Sequence, residues 1–358
     1  MKQGPEIAFF GSSLVSAYWN GAATYYRGII KGLHELGYRV TFYEPDAYDR
    51  QKYRDIEDPP WAKVSVYEAT KTGVDRALSE ASGSALIVKA SGVGAFDEYL
   101  EKAVLETRGG LAAFWDVDAP ATMERMKGDP SDPFRPLVEK YDHIFTYGGG
   151  DRVVDEYSRL GAVGCTPIYN ALDPETHYPS DPDGMLRADL GFLGNRMPDR
   201  EERVREFFFS AASLLPDRRF LLGGSGWDSI DIPNVKWLGH VYTHGHNAFN
   251  SACMAVLNVN RDSMARYGFS PPTRIFEAAG AGACIITDRW DGIETFLAPG
   301  KEVLVAGSGR EVAELLSGLT PEAAAAIGRN ALARVASEHT YGHRARQVAT
   351  VLSSLLGG

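Results

Sequence analysis

The chain has 358 residues, of which 44% are apolar and 23% charged, and a formal net charge of -10. That length exceeds one ordinary hydrophobic core and suits two domains. The near-average composition suggests neither a disordered nor a membrane protein, and the acidic balance argues weakly against a dedicated nucleic-acid binder, since phosphates are held mainly by Lys and Arg. No uncharged apolar run approaches the roughly 18 to 20 residues that span a bilayer, and "MKQGPEIAFF" leads into a strand without a signal-peptide pattern. A cytoplasmic chain with no membrane span is expected. Cys165, Cys253 and Cys284 sit far apart in or beside apolar runs. They read as small core residues rather than a disulfide or zinc framework.

The first half alternates strand-like runs, "EIAFFGS", "RVTFYEP", "ALIVKAS", "LAAFWD", "HIFTYGG" and "TPIYNA", with stretches whose apolar residues recur at helical spacing, from "AATYYRGIIKGLHELG" to "DRVVDEYSRLG". The pattern breaks at the Pro-rich "DPETHYPSDPDGMLR", which reads as a linker. It then restarts with strands "DLGFLGN", "RFLLGGS", "VKWLG", "MAVLNVN", "CIITD" and "EVLVA" among further helical stretches. Two helical segments, 321–338 and 342–356, close the chain with no strand between them. Such alternation predicts α/β architecture with parallel sheets covered on both faces. The expected organisation is a Rossmann-like domain over 1–178, a second over 179–340, and a helix over 341–358 crossing back to the first. Ligands of such sheets bind beyond the carboxyl ends of the strands, so a cleft between facing domains is the expected site.

The first loop, "GSSLVSAYWNGAATYYRGI", places Ser13 after strand one and Asn20 and Gly21 before the next helix. It is either a ligand-approachable helix start or a plain strand-to-helix turn. Neither Gly-x-Gly-x-x-Gly spacing nor a Walker lysine occurs, which argues against a dinucleotide enzyme or a kinase. In "GFSPPTRIFEAAGAGACIITD", Ser270 precedes a Pro-Pro helix start, Thr273 and Arg274 fall in the first turn, and Glu277 follows three residues later on the same face. Arg274 and Glu277 there could hold a diphosphate and a ribose diol, or simply form an i, i+3 ion pair. The H-x-H spacing of His244 and His246 lacks an evident third ligand, so no metal is expected there. Asp288, Asp291 and Glu294 make an acidic strand-end loop, in which Asp291 could equally cap a short helix.

The run "VLNVNRDSMARYGFSPPTRIFEAAGAGACIITDRWDGIETFLAPGKEVLV", together with "FWDVDAP", "YDHIFTYG" and "IYNALDPETHYP", resembles the CgeB-like (spore maturation protein-like) glycosyltransferases of the group-1 type GT-B clan. The resemblance implies two Rossmann-like doubly wound domains facing a central cleft, with a sugar-nucleotide donor on the second and an acceptor on the first. It implies that Glu277 contacts the donor ribose, that Asn195 and Arg196 lie in a loop near the donor phosphates with Arg274, and that Gly239 and His240 flank the base. Asp288 and Glu294 would lie near the donor sugar. Phe269 stands where the wider clan often carries a second glutamate.

The pair Asp116 and Asp118 in "FWDVDAP" admits three readings. A metal-bound Asp-x-Asp belongs to the one-domain GT-A architecture, whereas here arginines and helix N-termini could stabilise the leaving diphosphate. Asp116 could instead take the proton of an acceptor hydroxyl, or only position it. Alternatively Asp118 caps the following helix while Asp116 satisfies loop amides. The expectation is a metal-independent glycosyltransferase of hexosyltransferase type. It would move a sugar from a nucleoside-diphosphate sugar to an unidentified small-molecule, glycan or other acceptor, with Asp116 as the catalytic residue and Ser13, Asn20, Gly21 and Asp118 on the acceptor side. A sugar-nucleotide epimerase and a non-catalytic nucleotide-sugar binder are the rivals. The aromatics of "SAYWNGAATYY" and "FWDVDAP" suggest a flat acceptor surface or mere packing.

Overall fold

The computed structural model describes residues 4–18 and 20–357. Two compact units divide it: Met1–Tyr169 with Tyr341–Gly358, and Asn170–Thr340.

In the first unit, β1 (Glu6–Phe10), β2 (Arg39–Asp46), β3 (Lys63–Glu68), β4 (Leu86–Ala90), β5 (Leu111–Asp116), β6 (His143–Thr146) and β7 (Cys165–Pro167) form one parallel sheet in the order β3-β2-β1-β4-β5-β6-β7. Every residue of β4, and every residue of β1 after Glu6, is buried, which fits strands covered on both faces. β3 was not expected from the sequence. It lies at the sheet edge and leaves most of "KVSVYE" partly or fully exposed, so the run never reads as a solid apolar core. Helices α1 (Ala23–Glu35), α2 (Lys71–Ala81), α3 (Asp97–Thr107), α4 (Ala119–Gly128) and α5 (Gly150–Arg159) connect the strands. "FRPLVEKY" forms a 3-10 turn at Arg135–Lys140 rather than an α-helix.

The second unit carries β8 (Ala188–Leu193), β9 (Phe220–Gly223), β10 (Val235–Trp237), β11 (Cys253–Asn258), β12 (Ile285–Asp288) and β13 (Leu304–Ala306), all parallel in the order β10-β9-β8-β11-β12-β13. Its helices are α6 (Glu201–Val204), α7 (Ser210–Leu214), α8 (Thr243–Ala252), α9 (Asp262–Tyr267), α10 (Thr273–Gly280), α11 (Gly309–Gly318) and α12 (Pro321–Glu338). Between α6 and α7 one π-helical turn, Arg205–Phe209, widens the helix where Phe207, Phe208 and Phe209 are all buried. Three consecutive aromatics on a regular α-helix would fan out about 100° apart, and the wider turn keeps them in one core.

The chain leaves the first unit after Tyr169, not after residue 178, because the Pro-rich stretch begins as part of the second unit. Leu172 N donates to His339 O at 2.8 Å and Asn170 Nδ2 to Pro271 O at 3.1 Å. After Thr340 the chain returns as α13 (Tyr341–Leu356), which packs on α1. Gly28 and Gly32, one turn apart on α1, make room for it. A methyl on Gly28 would lie 2.2 Å from the Tyr341 ring, and one on Gly32 2.6 Å from Ala345 Cβ. Among the described residues, no helix is long and apolar enough to cross a membrane.

In each sheet the first strand has neighbours reached in opposite directions, β2 and β4 around β1, and β9 and β11 around β8. The chain order reverses there, which leaves a crevice beyond the carboxyl ends of β1/β4 and of β8/β11.

Candidate functional site

The β8/β11 crevice is lined by a loop and a helix start. Beyond β8, Gly194 to Arg196 is laced to the loop after β9. Gly194 N donates to Gly223 O at 2.8 Å, Arg196 N to Ser225 O at 2.9 Å, and Ser225 N to Asn195 Oδ1 at 2.9 Å. Gly224, at φ +130, must be glycine, since a Cβ would meet Gly194 O at 2.2 Å. Gly224 N also donates to Gly239 O at 2.7 Å. Gly239 and His240 therefore border this loop; Gly239 turns at φ +76, and the exposed His240 packs edge-on against Tyr242.

Helix α10 begins at Thr273 after Pro272, and no side chain caps its N-terminus. The buried Ser270 bonds Gly268 O at 2.9 Å in the loop before it. Phe269 in that loop has φ +44, a strained left-handed geometry for an aromatic residue, and its N–H donates to Asp291 O at 2.6 Å. Arg274 reaches across the crevice, Nε to Leu193 O at 2.5 Å and Nη1 to Asn258 Oδ1 at 3.2 Å, touching the ends of both β8 and β11.

A second guanidinium meets it. A methyl on Gly194 would lie 2.9 Å from Nη2 of both Arg200 and Arg274, and the two cations sit 5.7 and 5.4 Å from the ring centre of Phe192. Arg200 is buried, donates to Asn195 O at 2.6 Å, and leaves its Nε unpartnered. Burial first, then the charge of Arg274, pushes its pKa down to about 9. Burial likewise lowers Arg274, opposed by Glu277 and Asp288. The neighbouring arginines are neutralised locally: Arg196 by Glu201 in a two-point contact at 2.6 and 2.8 Å, Arg203 by Asp288 at 2.5 Å, and Arg261 by Asp199. Among the described residues Arg200 and Arg274 hydrogen-bond only to neutral oxygens, and carboxylates act on them only at longer range, Asp199 on Arg200 and Glu277 and Asp288 on Arg274. Two like charges facing one point, Arg200 buried and Arg274 half-buried, are costly without an anion.

This arrangement differs from the one expected of the phosphate-side residues. Arg196 is paired with Glu201, and it is Arg200, which the sequence did not single out, that lies beside Arg274. Arg274 and Glu277 do not face each other as an ion pair. The Glu277 carboxylate points to His177 and His246. Burial alone would raise its pKa, but the imidazoles and Arg274 outweigh that and hold it at about 2. Burial lowers the pKa of His177, with Glu277 pulling the other way. His246 thus gains as neighbours His177 and Glu277, not His244.

Several further expectations change. Asp288 is buried at the end of β12, held by Arg203 and by Asn260 N at 3.2 Å, with burial raising its pKa. It ties the end of β12 to the segment after β11. Glu294 is exposed on a 3-10 turn, whose N-cap is Gly292 rather than Asp291.

In the first unit, Asp116 is fully buried and saturated. Oδ1 accepts from Thr122 Oγ1 at 2.9 Å, Ser91 Oγ at 3.0 Å and Asp118 N at 3.1 Å, and Oδ2 from Tyr157 OH at 2.7 Å. Burial raises its pKa against these four donors. With both oxygens enclosed by protein, it anchors the β5–α4 turn. Asp118 holds the N-cap position of α4 without a side-chain capping bond. Ser13 and Asn20 stabilise their own loop: Ser13 Oγ donates to Glu44 at 3.0 Å, and Asn20 Nδ2 to Ser13 O at 2.8 Å and Ser16 O at 3.0 Å. Gly21 is exposed with open space around it. Phe114, Trp115, Tyr25 and Tyr26 belong to the core, and Trp19 lies outside the described residues. Of the described aromatics of those two stretches Tyr18 alone is exposed, stacked on Tyr53 at 4.2 Å, while outside them Tyr48 and Phe96 are exposed at left-handed φ values of 57 and 55.

Residues 200–350 match a protein-family model described as glycosyl transferase-like. A comparison with curated protein sequences found no match. Among solved structures, the chain is similar to sucrose-phosphate synthase from Thermosynechococcus elongatus at 14% identity and TM-score 0.71, covering 99% of this chain and 100% of that one. It is similar to Anabaena HepE in complex with UDP and glucose at 14% identity and TM-score 0.70, covering 98% and 100%. T4 phage BGT in complex with UDP-glucose follows at 10% identity and TM-score 0.60, covering 98% of each chain. The fold is thus that of the GT-B glycosyltransferases, and with the family match over the second unit it indicates a glycosyltransferase.

Proposed function

We propose that the chain transfers a sugar from a nucleoside-diphosphate sugar to an acceptor hydroxyl, with protein cations rather than a metal ion stabilising the departing diphosphate. The observation that carries this reading is the convergence of Arg200 and Arg274, neither hydrogen-bonded to a carboxylate, on Gly194 at the β8/β11 switch point. A diphosphate there would receive two guanidiniums and the N-terminus of α10, all fixed before it arrives. HepE and T4 phage BGT, which share the fold, are seen with UDP or UDP-glucose, so uridine donors are the first to try. Glu277, four residues from the first residue of α10 and ionised, suits a ribose diol, and Gly239 and His240 the base. We place the chain with the CgeB-like subgroup on the segment from Val256 to Val305.

Release of UDP from UDP-glucose, and of the other nucleoside diphosphates from their sugars, tests the reading. The wild-type protein should release one of them, faster with a suitable acceptor, and an Arg200→Met/Arg274→Met variant should not. Equal release by the double variant would overturn the assignment.

A further inference from the structure

The carboxylate of Glu277 lies between two imidazoles. His177 Nε2 is 3.8 Å from Oε1, and His246 Nδ1 is 3.7 Å from Oε2. Both separations are too long for hydrogen bonds. Neither ring nitrogen of His177, which is only 3% exposed, has a hydrogen-bond partner, and nor has Nδ1 of His246. Buried polar atoms ordinarily find partners, and the two orphaned nitrogens that face the carboxylate, His177 Nε2 and His246 Nδ1, call for one. The three ligand atoms all lie within 4.8 Å of one another. Around an ion with bonds of about 2.0 to 2.1 Å, tetrahedral ligands stand about 3.4 Å apart, so a small inward rotation would close the set.

The three residues are held by separate elements locked to each other. Asn247, next to His246 on α8, grips the backbone on both sides of His177: its Nδ2 donates to Thr176 O at 2.9 Å and its Oδ1 accepts from Tyr178 N at 3.4 Å. On α10, Gly280 lets that same segment come close, since a Cβ would lie 2.9 Å from His177 O. Two imidazoles and one carboxylate suit zinc-like ions, whereas magnesium and calcium prefer all-oxygen sets.

We propose that His177, His246 and Glu277 form a binding site for a divalent ion of the zinc class, and that its occupation withdraws Glu277 from the donor. The metal site stands on the geometry alone; its effect on donor binding rests on the assignment of Glu277 to the ribose. Zn2+ titrated calorimetrically into tag-free protein should bind once per chain, and Co2+ should give a ligand-field spectrum at the same stoichiometry. His246→Ala, at a half-buried position that need not disturb folding, should weaken Zn2+ binding by about tenfold or more. Zn2+ should lower UDP affinity in the wild type and not in His246→Ala. Absence of Zn2+ uptake by the wild type, or equal affinity in a folded His246→Ala, would overturn the site. Glu277→Ala separates the two readings: if it loses Zn2+ but binds UDP unchanged, the ribose assignment fails and the metal site stands.

Discussion

Replacing Arg274 with Met removes the half-buried one of the two facing cations while keeping a long side chain over Phe192. The loss comprises two bonds to neutral oxygens, Leu193 O and Asn258 Oδ1, and any contact to a bound phosphate. Truncating one side of a desolvated charge pair costs about 2 to 5 kcal/mol of binding, and the lower end applies because Arg200 remains beside the gap. That corresponds to roughly 30-fold weaker UDP binding or more. The unliganded protein is also relieved of a like-charge contact with Arg200, so its Tm should fall by no more than about 4 °C. Calorimetric titration of UDP into wild-type and Arg274→Met protein measures the first quantity, and a thermal melt the second. UDP affinity within threefold of wild type in a folded variant would refute the argument that the arginine pair is the phosphate site.

Asp116→Asn should leave transfer within about tenfold of wild type, because the group is enclosed; a rate loss of about a hundredfold or more would restore it as a base. Gly28→Ala should destabilise the first unit by about 1 to 3 kcal/mol in urea unfolding, since the new methyl meets the Tyr341 ring at 2.2 Å; an unchanged midpoint would mean that α13 is not seated there. Glu277 is held at about 2, below its ordinary 4.5, so its ionised form contributes stability that is present above 4.5 and lost as pH falls toward 2. That contribution is about 3 kcal/mol at most, and Glu277→Gln should flatten the acid limb of the stability–pH curve by up to this amount; parallel curves would contradict the shift.

The two parallel sheets were legible because most of their strands are continuous apolar runs, which only strands buried on both faces carry. β3 was missed because an exposed edge strand has no such run. Arg274 and Glu277 stood out because both fall on one short helix after a Pro-Pro start. Arg200 did not, since "DREERVRE" reads as a solvated helix face, and only the packing of β8 against the loop after β9 shows which of its arginines is buried. His177 lay hidden in a stretch that reads as linker. The enclosure of Asp116 was illegible for the converse reason: its strand-end position looked open, while the donors that enclose it come from Ser91, Asp118, Thr122 and Tyr157, which no local pattern links.

The central claim, that the second unit recognises a donor through its diphosphate, is tested most directly by thermal stabilisation with uridine, UMP and UDP side by side. At about a hundred times its Kd, a ligand stabilises by about 2.7 kcal/mol, enough to move a unit of this size by several degrees. UDP should raise the Tm well above UMP and UMP above uridine, and Arg200→Met/Arg274→Met should level the three. No stabilisation by UDP or any other nucleoside diphosphate, or equal stabilisation by uridine and UDP, would contradict the account.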